Sequence, residues 1–160
     1  MKTTNSMIGT AGEYFVCSEL SKKNILPLIT PKNNPLFDII ATNTDGSKYV
    51  AIQVKTMGLD NKQGWKLNKQ ITRKKNNQNL FLVLVDLKED RINDFYVFKY
   101  DNFVEKVIAV YSAYISTPNS RTGKIKKEVG FRWFDYKNFS DEDLAKKNDW
   151  TLITNFFSQK

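Results

Sequence analysis

The sequence predicts an α/β domain with a central mixed sheet flanked by helices, its first three strands forming an antiparallel meander. Three observations carry that prediction. Two β-rich runs, Leu36-Phe37-Asp38-Ile39-Ile40 and Tyr49-Val50-Ala51-Ile52-Gln53-Val54-Lys55, flank Asn43-Thr44-Asp45-Gly46. Those four residue types tolerate a tight reversal, so the runs form a hairpin. Leu80-Phe81-Leu82-Val83-Leu84-Val85 is near-continuously apolar, the pattern of a central strand buried on both faces. Segments with apolar residues at helical spacing precede and follow these strands. The 160 residues, 41% hydrophobic, show no compositional break, which implies one domain over 1–160 with a real core.

The first helix is expected from Thr10, as N-cap, to Lys23. At 3.6 residues per turn, Val16, Cys17 and Leu20 share one face and Glu13 falls within that stripe. Glu19 lies well away from it, and Lys22 and Lys23 trail off the end. An acid centred on an apolar stripe is expected inside the fold, where it meets Asp38. On the second hairpin strand Gln53 and Lys55 share one face while Ile52 and Val54 point to the other. Gly58 and Gly64 predict a mobile loop before Trp65, and the stretch up to Gln78 a short helix with a basic outer face. Trp65 itself is expected to pack rather than to stack on a ligand.

The apolar strand is followed by a turn over Lys88-Glu89-Asp90-Arg91-Ile92-Asn93 and a strand, Asp94 to Lys99, paired alongside it. Asp101 is expected to cap a helix whose Val104, Val107, Ile108 and Tyr111 form an apolar stripe. Ser116 to Gly130 contains Pro118 and Gly123 among Arg121, Lys124, Lys126 and Lys127, a flexible basic loop. Phe131, Trp133, Phe134 and Tyr136 are expected core aromatics. Ser140-Asp141-Glu142-Asp143 has the pattern of a capped helix start, and Trp150, Leu152 and Ile153 dock the C-terminal segment.

Composition narrows the chemistry. The chain has no histidine, which removes Ser-His and Cys-His catalysis, and zinc sites built on imidazole. One cysteine, Cys17, excludes a disulfide framework and a cysteine zinc cluster, and its place on the apolar helix face makes it a packed thiol. Neither a Walker loop nor a dinucleotide-binding glycine fingerprint is present. The formal charge of +8 implies polyanionic partners. From Lys55 to Lys75 the chain carries Lys55, Lys62, Lys66, Lys69, Arg73, Lys74 and Lys75 against one acid, Asp60. That segment and the Arg121–Lys127 loop are the expected contacts with a nucleic-acid backbone. There is no apolar core of a signal peptide and no run of membrane-spanning length, so a cytoplasmic setting with no membrane partner is expected.

Asp38, Gln53 and Lys55 gather a carboxylate, an amide and an ammonium on or beside an apolar sheet, where polar groups cost free energy unless paired or liganded. Phosphodiester hydrolysis needs a hard cation with oxygen ligands, one or two of them carboxylates. Glu13 and Asp38 supply that charge, Gln53 adds a neutral carbonyl oxygen, and Lys55 is a compact charge for the phosphate or the nucleophile. The competing structural reading has Asp38 capping a turn, Gln53 and Lys55 lining the solvated face of an edge strand, and Glu13 paired with a lysine.

The order of Gly12-Glu13 on a helix, Asp38 after Pro35-Leu36-Phe37, a hairpin, and Gln53-Val54-Lys55 resembles the PD-(D/E)XK nuclease superfamily, which includes restriction endonucleases and Holliday-junction resolvases. The resemblance runs out to the Leu80–Asp86 strand. Gln53 stands where most members carry Glu or Asp, so this is a Gln-x-Lys variant, and Pro35 is not adjacent to Asp38. It implies a restriction-endonuclease-like fold and an endonuclease acting on DNA with Mg²⁺ or Mn²⁺. The cation would be held by Glu13, Asp38, Gln53 and the backbone carbonyl of Val54, with Glu13, Asp38, Gln53 and Lys55 as the catalytic set. Two alternatives are a weak or inactive nuclease-fold protein that binds nucleic acid, and a small protein-interaction subunit. No helix-turn-helix or zinc module accompanies the site, so sequence specificity would come from loops or a second subunit, as in a homodimer.

Overall fold

The structure is a computed structural model that describes residues 4–32, 34, 36–89 and 91–158. Pro35 of the family-like motif and Asp90 of the predicted turn lie outside the described residues. The elements run α1 (Asn5–Ser21), β1 (Leu26–Ile29), β2 (Ile39–Thr42), β3 (Tyr49–Met57), β4 (Gly64–Asn68), β5 (Leu80–Asp86), β6 (Asp94–Lys99), α2 (Tyr100–Ser116), β7 (Phe131–Asp135), α3 (Asp141–Ala145) and α4 (Thr151–Ser158). One-turn 3₁₀ helices follow β4 at Lys69–Thr72 and β7 at Tyr136–Asn138.

Five strands form the main sheet in the order β1-β2-β3-β5-β6. β1, β2 and β3 are the antiparallel meander, β5 joins β3 in parallel, and β6 returns antiparallel to β5. The sheet is therefore mixed, as the sequence predicts, and Leu26–Ile29 supplies a strand that alternation alone leaves unassigned. Every residue of β5 is buried, because helices cover one face and a second layer covers the other. On one face α1 and α4 bring Val16, Leu20 and Ile153 against Val50, Ile52, Val54, Phe81, Val83 and Val85. On the other, α2 and the two-stranded β4–β7 sheet bring Trp65, Phe103, Val107 and Phe134 against Ala51, Met57, Leu82, Leu84 and Tyr96. No helix among the described residues is long and apolar enough to cross a membrane.

Several expectations are corrected by the packing. α1 begins five residues before Thr10: Thr4 is the N-cap, its hydroxyl accepting from the Met7 N–H at 3.3 Å, because Ile8 and Ala11 continue the face that packs on the core. β2 starts at Ile39 and not at Leu36. Leu36 and Phe37 precede it, and the turn over Asn43–Gly46 closes as expected, with Gly46 at φ 73°. A loop does run from Gly58 to Gln63, but the helix expected from there to Gln78 does not follow: Gly64–Asn68 is strand β4, paired with β7, and only Lys69–Thr72 is helical. Its neighbour forces this, since a Cβ on Gly64 would fall 2.4 Å from the Phe134 carbonyl oxygen. Asp101 does not cap α2, whose N-cap is Lys99; its carboxylate instead accepts from the Lys75 and Asn76 N–H groups at 2.8 Å each and fixes the segment after the 3₁₀ turn. Ile108 and Leu152 are exposed rather than in the core, and Phe131, Trp133 and Tyr136 are half-buried while Phe134 is fully buried. The capping box at Ser140 and Asp143 is formed.

Candidate metal and phosphate site

The site is built where β2 leaves β3. Just before β2, the Asp38 N–H donates to the Ile52 carbonyl at 2.9 Å, and its own carbonyl accepts from the Thr30 N–H at 2.9 Å. The Thr30 hydroxyl reaches the Phe37 and Asp38 carbonyls at 3.0 and 3.2 Å. One Asp38 carboxylate oxygen then accepts from the Val54 N–H at 2.7 Å, taking over the ladder position that β2 has vacated. In a strand the N–H and C=O of one residue point to the same edge, so the Val54 carbonyl is turned toward Asp38 and away from β5.

Gln53 and Lys55 stand on the β3 face that carries Ala51 and Met57. β3 is the middle strand of five, which removes the reading of a solvated edge. The Gln53 Oε1 atom is buried without a hydrogen-bond partner among the described residues. Such an orphaned acceptor costs free energy on the order of 1–3 kcal/mol unless something binds it. The Lys55 ammonium makes no hydrogen bond or ion pair among the described residues; burial pulls its pKa down, and the charges of Asp38 and Glu13 oppose that.

Glu13 approaches from α1, whose buried line is Gly12, Val16 and Leu20. A Cβ at Gly12 would sit 1.9 Å from Thr56 Oγ1, so the helix lies directly on β3 and Glu13 is held next to its site-bearing end. Burial first, then the Asp38 charge, raises the Glu13 pKa; Lys32 and Lys55 oppose. No lysine pairs with Glu13 among the described residues, whereas Glu19 holds Lys22 and Lys23 at 2.7 and 3.4 Å. Cys17 is a half-buried thiol pushed up to about 11 by burial and by Glu13, hence inert.

A cleft of about 220 Å³ lies between α1 and the segment before β2, with Ser6, Thr10, Glu13, Thr30, Lys32 and Asp38 on its walls. Thr30 and Lys32 were not singled out from sequence. Lys32 stands apart from the lysine runs, and the fold puts it on the cleft wall, where its charge acts on Glu13. Among the described residues no three His, Cys, Asp or Glu side chains form a cluster able to hold a metal. Glu13 and Asp38 line the cleft, whereas Gln53 and Lys55 are not among its lining residues and stand on the β3 face away from α1; the oxygens expected as donors are two carboxylates, one amide oxygen and one backbone carbonyl. These are all hard oxygen donors, which suits Mg²⁺ or Mn²⁺, and the orphaned Gln53 oxygen fits such a group.

Lys62, Lys66, Lys69, Arg73 and Lys75 are exposed, and Lys66 lies over the Phe131 ring at 4.4 Å. Lys74 is paired with Glu105. Trp65 is 2% exposed, packed on Tyr96, Tyr136 and Phe139, and donates its indole N–H to the Val85 carbonyl at 3.1 Å, so it is a core anchor. In the second basic loop Arg121, Lys124 and Lys127 are exposed, whereas Lys126 donates to the Tyr114 carbonyl at 3.0 Å.

The Glu13 shift has a measurable consequence. A carboxyl whose pKa is raised by folding binds more protons in the native than in the unfolded state across that interval. In metal-free protein its contribution to stability is therefore lost as pH rises from the ordinary carboxylate range of the unfolded chain through the raised native value. Glu13→Gln should remove that decline. Urea titrations of both proteins in EDTA between roughly pH 4 and 7 check it: parallel curves would show that Glu13 is not held against Asp38.

No protein-family model matches the chain, and no curated protein matches it in sequence. Solved structures do match in fold. A bacterial homing endonuclease, I-Ssp6803I, superposes with a TM-score of 0.56 at 14% identity, covering 97% of this chain and 96% of the other. Hjc, a Holliday junction resolvase of the archaeal hyperthermophile Archaeoglobus fulgidus, gives a TM-score of 0.51 at 14% identity, covering 92% and 95%. The chain thus has the restriction-endonuclease-like fold that its sequence predicts.

Proposed function

We propose that the protein is a Mg²⁺- or Mn²⁺-dependent endonuclease that hydrolyses phosphodiester bonds in DNA. The observation that carries this reading is the electrostatic coupling of Glu13, Asp38 and Lys55, with a buried, unpartnered Gln53 oxygen two residues before Lys55 on the same face of β3. A nuclease fold supports it, since the homing endonuclease and the resolvase that share the fold are nucleases. Glu13, Asp38, Gln53 and the Val54 carbonyl would hold the cation, which when bound polarises a phosphate and acidifies a water. Lys55 orients that water or meets charge developing on the phosphate. Lys32, across the cleft, places a second cation beside the entering backbone. Exposed Lys62, Lys66, Lys69, Arg73 and Lys75 carry the DNA, with the Arg121–Lys127 loop as a second contact.

A second reading, a DNA-binding protein of the same fold with little cleavage, is favoured by one observation: Gln53 brings no charge, so the site has two carboxylates rather than three. One experiment separates the two. Mn²⁺ at about a hundred times its Kd should stabilise the protein by about 2.7 kcal/mol, which raises Tm by several degrees. Asp38→Asn keeps an acceptor for the Val54 N–H but removes the charge, and should abolish the shift. Gln53→Glu should enlarge it. An undiminished shift in Asp38→Asn removes Asp38 from the metal site. Nicking of plasmid or branched DNA in Mn²⁺ but not EDTA then decides for the enzyme.

A further inference from the structure

We propose that Thr30 is a positioning residue of the cation site: its hydroxyl locks a turn of the backbone at Asp38 and so aims the Asp38 carboxylate into the cleft. This role presupposes Asp38 as a cation ligand, as proposed above. Thr30 directly follows β1 and precedes Pro31. A residue before proline is biased to extended conformations, so the β1–β2 ladder, in register at Ile29 and Ile39, continues one step to Thr30 and Asp38. A hydrogen-bonded antiparallel pair exchanges two backbone bonds. Here one half is made: the Thr30 N–H donates to the Asp38 carbonyl at 2.9 Å, but the Asp38 N–H has turned to the opposite strand and donates to the Ile52 carbonyl at 2.9 Å. Ile52 already faces Ile39 in the β2–β3 register, so Asp38 and Ile39 stand two against one, the arrangement of a β-bulge. Bulges re-aim side chains, and this one brings the Asp38 carboxylate over β3 to accept from the Val54 N–H at 2.7 Å.

The hydroxyl holds that turn. In a regular strand successive carbonyls point to opposite edges. The Phe37 and Asp38 carbonyls instead converge on one atom, the Thr30 Oγ1, at 3.0 and 3.2 Å. They belong to the two peptide planes that flank the Asp38 Cα. One hydroxyl proton shared between them therefore ties both planes and fixes the two dihedral angles that direct the side chain. The Val54 N–H occupies one carboxylate oxygen, which leaves the other for the cleft that Thr30 and Asp38 both line. Partners that orient a metal ligand in this way are worth a factor of about 10–100 in metal affinity.

Side-chain shape alone does not account for a threonine here. Valine has the same outline, and the backbone N–H of residue 30 holds the Asp38 carbonyl whichever side chain follows. Thr30, Phe37 and Asp38 are half-buried, so without the hydroxyl both carbonyls still reach water. The loss is therefore expected in the aim of the carboxylate rather than in the stability of the fold.

Thr30→Val and Thr30→Ser in the whole protein test this. In EDTA, Thr30→Val should speed Val54 amide exchange about tenfold, while the amide of Val83, in the middle of buried β5, keeps its wild-type rate. Its Mn²⁺ dissociation constant, read from the electron paramagnetic resonance of the free ion, should rise about tenfold or more. Thr30→Ser keeps the hydroxyl and should return both quantities close to wild type. An unchanged Mn²⁺ constant in Thr30→Val, or Val54 and Val83 exchange rising together, overturns the proposal and leaves the cation site standing. A wild-type protein that binds no Mn²⁺ overturns the cation site, and the role of Thr30 with it.

Discussion

Lys55→Met is expected to slow DNA cleavage by a factor on the order of 10²–10³ while changing DNA affinity by no more than about threefold. Methionine keeps the packed aliphatic stem, so the loss isolates the ammonium. That ammonium is drawn toward deprotonation by burial, faces the Asp38 and Glu13 charges, and has no ion pair of its own among the described residues. A charge kept in such a place at that cost acts where charge develops, and interactions made only in the transition state appear in rate rather than in binding. Lys55→Arg should restore little, because a planar guanidinium does not fit a place shaped for a compact point charge. Single-turnover cleavage and equilibrium binding on one duplex read both quantities. Equal losses in affinity and rate would make Lys55 a phosphate-binding residue only.

The same residue shows how much of this protein was legible beforehand. Alternation placed Gln53 and Lys55 on one face, and the apolar 80–85 run announced the buried central strand, because both signals are local periodicities. What periodicity does not contain is which strand becomes an edge. The solvated-edge reading of β3 fails because β5 pairs with it in parallel across the 22 residues (58–79) between Met57 and Leu80. β1 and β4 escape local periodicity for a related reason. Leu26–Ile29 holds a proline and too few residues to alternate, and Gly64–Asn68 reads as the end of a loop and the start of a basic helix until Phe134 is found against Gly64. Residue type alone does not fix the helix start, because Thr4 and Thr10 are equally good caps, and the choice rests on whether Ile8 finds a core. The site inherits this asymmetry. Glu13, Asp38, Gln53 and Lys55 carry their own residue-type signal, whereas Thr30 and Lys32 acquire meaning only from the fold that brings them to Asp38 and Glu13.

Replacing Arg73 and Lys75 together with Gln should weaken DNA binding on any sequence and flatten the plot of log affinity against log salt by about 1.8 units, because each phosphate contact releases counterions worth about 0.9 of slope. Both side chains are exposed, and neither charge has an ion-pair partner among the described residues. Lys74 between them differs: it is already paired with Glu105, so adding Lys74→Gln should cost less than a full further unit, since part of its charge is committed within the protein. The backbone here is pinned by Asp101, which accepts from the Lys75 and Asn76 N–H groups, so the substitutions leave the path of the chain intact. Stability should change by no more than about 0.5 kcal/mol. Lys55→Met should show the opposite pattern, a lost rate at a nearly unchanged slope. If the double variant keeps the wild-type slope, the DNA does not run over this segment. The same measurement on Arg121, Lys124 and Lys127 would then be expected to carry the lost units, because those three are the exposed cations of the other basic loop.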